Sequence, residues 1–219
     1  MLSPSTSGSA LTYHHGNLRK ELLDRAAHVI AEQGIEALSL RALSRDLGVS
    51  HAAPSRHFAD KAELLRALAI EGNERFIDYV LAAAEAAGEN PLERYAAMGK
   101  AYIRFSIDFP AYYRTLAHPD VSAHADAELR ATGEQRQHVI EAAARLAQAA
   151  GWLPDESVED VVMFSIATVR GVAAMLTDPL HGRALAQHDT DMLIENMVRL
   201  IIDPAHPQKS LNPHMKGLS

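Results

Sequence analysis

Ten residues, VSHAAPSRHF at 49 to 58, bring together Ser50, His51, Ser55, Arg56 and His57. A serine at a helix start leaves free backbone N–H groups and the positive end of the helix dipole around it. That combination suits a phosphate. Pro54 interrupts the pattern, because it has no N–H to return to the Ser50 carbonyl and its ring crowds that carbonyl. It also biases Ala53 away from helical geometry. The segment therefore reads as a short helix over 51–57, capped by Ser50, with a loosened first turn.

Three other groups of residues carry chemistry. The chain holds twelve histidines, but no His-Glu-x-x-His and no other compact ligand set. His14 and His15 are too local for a closed site, so no metal and no cofactor are expected. Glu156, Glu159 and Asp160 could serve an all-helical enzyme, which is the competing functional reading. They also sit at a helix start, where acids stabilise the dipole in any case. Arg170 lies inside the apolar run SIATVRGVAAML. It is open to three readings: an internal ion pair, an anionic ligand, or a side chain that reaches back to solvent.

The elements that position these residues are all helical. Alanine and leucine dominate the 219 residues, and no run alternates with period two. Helices are expected over 18–33 behind an Asn17 cap, over 40–46 behind Ser39, and from Lys61 to about Ala87 behind an Asp60–Glu63 capping box. Further helices are expected from Pro91 to Phe109, from Pro110, from about Ala125 to Ala150, from Val158 to Leu176, and from Asp191 to Ile202. The stretch AHPDVSAHAD reads as loop. Residues 1–12 read as a disordered arm and 204–219 as a disordered tail. Two domains follow: a compact set of short helices at 13–60 and a larger bundle at 61–203. No stretch approaches a membrane span on this reading, and no signal peptide is visible. With no cysteine, no disulfide frame is available. A soluble, cytoplasmic protein is expected.

Helices at 40–46 and 51–57, separated by LGVS, form a helix-turn-helix pattern. Gly48 supplies the left-handed turn and Val49 points inward. The first helix would cross a DNA backbone and the second would enter the major groove. A plain helical hairpin accounts for LGVS alone almost as well. The net charge of −7 does not oppose DNA binding, because it is uneven. Residues 13 to 66 hold eight Lys/Arg and seven Asp/Glu, or +1, which leaves −8 elsewhere. Local charge governs phosphate binding.

The wider context, GIEALSLRALSRDLGVSHAAPSRHFADKAELLRAL, resembles the DNA-binding region of the tetracycline-repressor (TetR) family of bacterial transcription regulators. Gly34, the LSLRALSRDLGVS core, RHF at 56–58, DKAELL at 60–65 and YHHGNLR at 13–19 carry the resemblance. It implies a homodimer on double-stranded DNA. It also implies contacts to phosphate or base edges from Ser39, Arg41, Arg45, Ser50, His51, Ala52, Pro54, Ser55, His57 and Lys61. Pro54 would offer apolar surface to a thymine methyl, or simply occupy the loosened turn. Ser55 stands where the family favours Tyr and is shorter, reaching backbone groups or a bridging water.

AYIRFSIDFPAYYRTL at 101–116 is similar to a regulatory-domain motif of a subgroup that ends in Trp-x-x-x-His-Gly. In the equivalent IATVRG, Gly171 remains while Ile166 and Arg170 replace Trp and His. The resemblance implies a pocket for an unknown small-molecule effector. Side-chain type selects Met98, Tyr102, Phe105, Tyr113, Met163, Phe164 and Arg170 for it, although such residues at helical spacing are more often plain core. The resemblance further implies that the last two helices form the dimer interface. Ser165, Gly171, Ala174, Ile194, Met197, Val198 and Ile201 are the expected contacts.

Overall fold

The computed structural model describes residues 18–178, 181–182, 185 and 187–203. The Asn17 cap, the N-terminal arm and the C-terminal tail lie outside them. Among the described residues there are helices and no strands. The chain divides into two compact units, one ending at Leu65 and the other starting at Arg66.

In the first unit, α1 (Leu18–Gln33) buries Leu22, Leu23, Ala26, Val29 and Ile30. Their three- and four-residue spacing puts them on one face. A 3-10 turn, Ile35–Ala37, leads to α2 (Leu40–Asp46). Ser39 caps α2, its Oγ accepting from the Ala42 N–H at 3.1 Å. Arg25 donates twice to Oδ2 of Asp46, at 2.8 and 3.1 Å, and so ties α1 to the end of α2. Gly48 then adopts φ 66°, a left-handed conformation that strains any side chain. The turn lets the Val49 N–H return to the Ser44 carbonyl at 2.9 Å.

The third element differs from expectation. No α-helix spans 51–57; a turn is followed by a 3-10 helix over Pro54–Arg56. The proline is the physical cause. Residue 54 has no N–H for the Ser50 carbonyl, so Ala53 donates to it instead, at 3.0 Å. Ser50 therefore caps no α-helix. The chain is pinned beyond the proline by bonds from the His57 and Phe58 N–H groups to the Pro54 carbonyl, both 2.9 Å. Pro54 and Phe58 are buried, and the Arg19 guanidinium lies 5.1 Å over the Phe58 ring.

The boundary between the units falls within α3 (Lys61–Ala86). Its capping box is shifted by one residue. The Glu63 N–H donates to Asp60 at 2.8 Å, while the Glu63 carboxylate accepts from Ala59 rather than Asp60, at 2.6 Å.

The second unit continues with α4 (Pro91–Asp108), α5 (Pro110–Ala117), α6 (Pro119–Ala123), α7 (Ala127–Ala149), α8 (Val158–Thr177) and a final helix, α9 (Thr190–Ile202). Asn90 caps α4, its Oδ1 accepting from Leu92 at 2.9 Å. The short α6 replaces an expected loop, because Pro119 suits a first helical position and Val121 is buried as an anchor. Packing surrounds α4, with α5, α7, α8 and α9 against it. Its buried Tyr95, Met98, Ile103 and Phe105 occupy more than one face accordingly. Phe105 meets Phe76 edge-on at 5.3 Å. Gly72 of α3 is a close-approach site: a Cβ there would lie 3.3 Å from the Tyr112 ring.

One expectation about composition is corrected here. By length and hydropathy, α8 is apolar enough to span a membrane, with a mean hydropathy of 1.5 over its best window. It carries Glu159, Asp160 and Arg170, and one face packs into the bundle through Val161, Val162, Ser165, Val169 and Ala173. A bundle helix with a second apolar face has the same composition as a span.

Candidate functional site

The first unit presents a row of polar side chains around the Gly48 turn. Arg41, Arg45, Ser50, His51, Ala52 and Ser55 are exposed; His57 and Lys61 are half-buried. Ser39 is exposed too, with its oxygen engaged in the α2 cap. Arg45 reaches Asp46 only at 3.8 Å and stays largely in solvent. Pro54 is the exception: it faces the interior, which removes it from the outward row and corrects the thymine-methyl reading.

His51 is held from below. Its Nδ1 lies 3.1 Å from the Oγ of buried Ser44, and that hydroxyl donates to the Arg41 carbonyl at 2.9 Å. Sequence reading missed Ser44. A small polar residue between Leu43 and Leu47, one turn ahead of a histidine-bearing loop, was the available signal.

Among the described residues of the second unit, two adjoining cavities share part of their lining. The first, about 40 Å³, is apolar and is bounded by residues of α3, α4, α7, α8 and α9. Its two buried hydroxyls, Tyr95 and Ser165, have no hydrogen-bond partner among the described residues. Burial pushes the Tyr95 phenol up, and the nearby Ser165 hydroxyl partly offsets this without reaching hydrogen-bond geometry. The second cavity, about 40 Å³ and open to solvent on one side, is bounded by α3, α4, α5, α7 and α8 and includes Arg136 and Arg170. Phe76 and Tyr102, edge-on at 5.2 Å, line both cavities.

Side-chain type sorted the cavity residues only in part. Tyr102, Phe105, Tyr113 and Arg170 line the second cavity, while Met98 lines the first. Met163 and Phe164 line neither; they stand 70% and 60% exposed on the opposite face of α8. Arg136 was missed, although the stripe Leu129, Arg136, Ile140, Ala144, Ala147 places it in line with the buried residues of α7.

The residues expected at a dimer interface also divide. Gly171 and Ala174 are exposed, and Met197 is half-buried. Ser165, Ile194, Val198 and Ile201 are buried within the subunit, which corrects their assignment. Ser165, Val198 and Ile201 line the apolar cavity. Periodicity marked their face as covered, and the chain's own helices cover it. The outward face carries Met163, Phe164 and Met175 on α8, with Met192 and Leu200 on α9.

The acidic cluster does local work. Ser157 donates to the Asp160 carboxylate at 2.7 Å and accepts the Asp160 N–H at 3.1 Å, closing the start of α8. Glu159 lies 3.8 Å from Arg145. Among the described residues no group of three or more His, Asp or Glu is arranged to hold a metal.

Comparison with known proteins bears on this arrangement. Residues 22–68 match the model of bacterial regulatory proteins of the tetR family. Residues 95–201 match the model of the tetracyclin repressor-like C-terminal domain. No curated protein matches the chain. Among solved structures, a Rhodococcus sp. RHA1 protein with unknown function is similar at 30% identity and TM-score 0.74, covering 88% of this chain and 97% of its own. The fatty acid degradation regulator FadR from Bacillus halodurans shares the fold at 14% identity and TM-score 0.69, with 87% and 97% covered. The TetR family transcriptional regulator PfmR from Thermus thermophilus does so at 19% identity and TM-score 0.63, with 83% and 96% covered. Together with the Gly48 turn, these matches identify the chain as a member of the TetR family of bacterial regulatory proteins, carrying that family's DNA-binding helix-turn-helix.

Proposed function

We propose that the chain is a ligand-responsive repressor, acting in the cytoplasm as a homodimer on an inverted-repeat operator. The observation that carries this reading is the outward apolar face of α8 and α9. Met163, Phe164, Met175, Met192 and Leu200 are between 46% and 70% exposed. Large exposed apolar faces mark association surfaces. Ala167, Gly171 and Ala174 lie among the α8 members of that face, and small side chains let a second backbone come close.

On this reading Ser39, Arg41, Arg45, Ser50, His51, Ala52, Ser55, His57 and Lys61 meet the DNA. Lysine and arginine hold phosphates; the residues after Gly48 meet base edges. The effector occupies the cavities of the second unit. It acts on α3, which continues into the DNA-binding unit. Effector and DNA affinities then oppose each other reciprocally.

Sedimentation equilibrium at micromolar concentration tests the association step. A species of twice 23.8 kDa is expected. A monomer at that concentration contradicts the reading.

A further inference from the structure

The second cavity has an unbalanced chemistry. Its polar side chains are the guanidinium groups of Arg136 and Arg170 and the phenols of Tyr102 and Tyr113. None of the four makes a hydrogen bond or ion pair with another described residue. The Arg136 guanidinium lies over the face of the Phe76 ring, 6.0 Å away. Arg136 is half-buried, so this is not the usual solvated surface arginine. Burial pulls its guanidinium below the ordinary arginine range; Tyr102 opposes the effect and Arg170 adds to it. Burial also pushes both phenols up, so each keeps a proton to donate at neutral pH. Two cations and two donors thus converge on one space with no described carboxylate facing them.

The rest of the space is apolar. Phe76, Phe105, Leu116 and Ala117 complete the cavity. Beyond Phe76 and Tyr102 lies the apolar cavity. An ionised carboxylate accepts about four hydrogen bonds through two oxygens, and guanidinium forks match it in geometry. Two guanidiniums and two phenols supply that number of donor groups. A phosphate has more oxygens to satisfy and usually draws on free backbone N–H groups, whereas every residue lining this cavity lies within a helix, where those groups are already bonded.

We propose that this cavity binds an organic carboxylate with an apolar body, its head between Arg136 and Arg170 and its body against Phe76, Phe105 and Tyr102. The proposal deepens the effector reading above and rests on it. Exposed Arg170 receives the anion first; half-buried Arg136 holds it at depth. The anion removes the repulsion between the two arginines, so binding also draws the parts of α7 and α8 that carry them into one polar cluster.

The test uses the full chain, by isothermal titration calorimetry without DNA and by DNA binding with and without each acid. The probes are 2-naphthoate and decanoate, their neutral amides, and phenyl phosphate. Each acid should bind at least roughly tenfold more tightly than its amide, as expected for charge-assisted hydrogen bonds. Arg170→Ala and Arg136→Gln should each weaken the acids by roughly 10- to 100-fold with unchanged circular dichroism. Arg136→Lys, which keeps charge but loses the fork, should fall between wild type and Arg136→Gln. Amides that bind as well as acids, or acids that bind the variants as tightly as wild type, overturn the proposal. Phenyl phosphate binding more tightly than either acid overturns the carboxylate assignment. Acid binding that leaves DNA affinity untouched keeps the site and overturns ligand-responsiveness. DNA binding without acid binding overturns the site alone.

Discussion

His51 is exposed, yet its Nδ1 rests 3.1 Å from the hydroxyl of Ser44, a residue with no exposed surface. Ser44 gives its proton to the Arg41 carbonyl. Its oxygen can therefore only accept from the ring, which in the neutral imidazole places the proton on Nδ1 and leaves Nε2 as an acceptor. That tautomer follows from the hydrogen-bond network. At a base edge, such a nitrogen pairs with the amino group of adenine or cytosine.

Ser44→Ala removes the lock without adding bulk. Preference at one base pair of each half-site should relax by about 1 kcal/mol, the low end of a single base contact. Affinity for random DNA should stay unchanged. Equilibrium binding to a set of single-base operator variants checks this, and an unchanged preference profile would separate Ser44 from readout.

Lys61 opens α3 beside the Asp60 cap. As a phosphate contact it should contribute equally on all sequences. Lys61→Ala should weaken specific and random DNA alike and reduce the slope of log K against log salt by about one unit per contact. The slope measured by fluorescence anisotropy across a salt series decides; an equal slope for variant and wild type takes Lys61 out of the interface.

Phe164 and Gly171 offer a clean handle on association. Phe164 is 60% exposed, and a Cβ on Gly171 would meet nothing within 4 Å. Neither change should disturb the subunit. Phe164→Glu and Gly171→Leu should each shift the chain towards monomer at micromolar concentration and lose operator binding together with the dimer. Retained dimers in both variants, measured by light scattering, would move the interface elsewhere.

Tyr79 donates to the Asp108 carboxylate at 2.6 Å, linking α3 to the end of α4. Burial, and next this hydrogen bond, push its phenol up to about 12. The unfolded value is about 10. The folded state therefore favours the protonated phenol. The resulting stability is fully present below about pH 10 and is lost between about pH 10 and 12. Tyr79→Phe should cost about 1 kcal/mol at neutral pH and flatten that alkaline loss. Urea unfolding at pH 7 and pH 11 measures both effects; an equal alkaline loss in variant and wild type contradicts the assignment.

What the sequence made legible was local chemistry. Ser39, Gly48, Asn90 with Pro91, and Asp60 with Glu63 mark helix ends because capping is decided within four residues. Pro54 was harder. Its missing N–H shows that an α-helix is compromised there, but only the folded unit shows a 3-10 turn anchored by buried Pro54 and Phe58. Ile194, Val198 and Ile201 form an apolar face by periodicity, and periodicity does not say whose helices cover it. Met163 and Phe164 have the side chains of a pocket, yet the register of α8 turns them outward while neighbouring Val162 goes in. Arg136 was hidden by its polar neighbours Glu134, Gln135 and Gln137, although its register is that of Ile140.

The central claim is that two copies of the helix-turn-helix read DNA together. Selection of bound duplexes from a random pool by the full chain tests it most directly. The account predicts an enriched inverted repeat whose half-sites are about one helical turn apart, roughly 34–36 Å between centres. Enrichment of a lone half-site, or no enrichment over the starting pool, would contradict it.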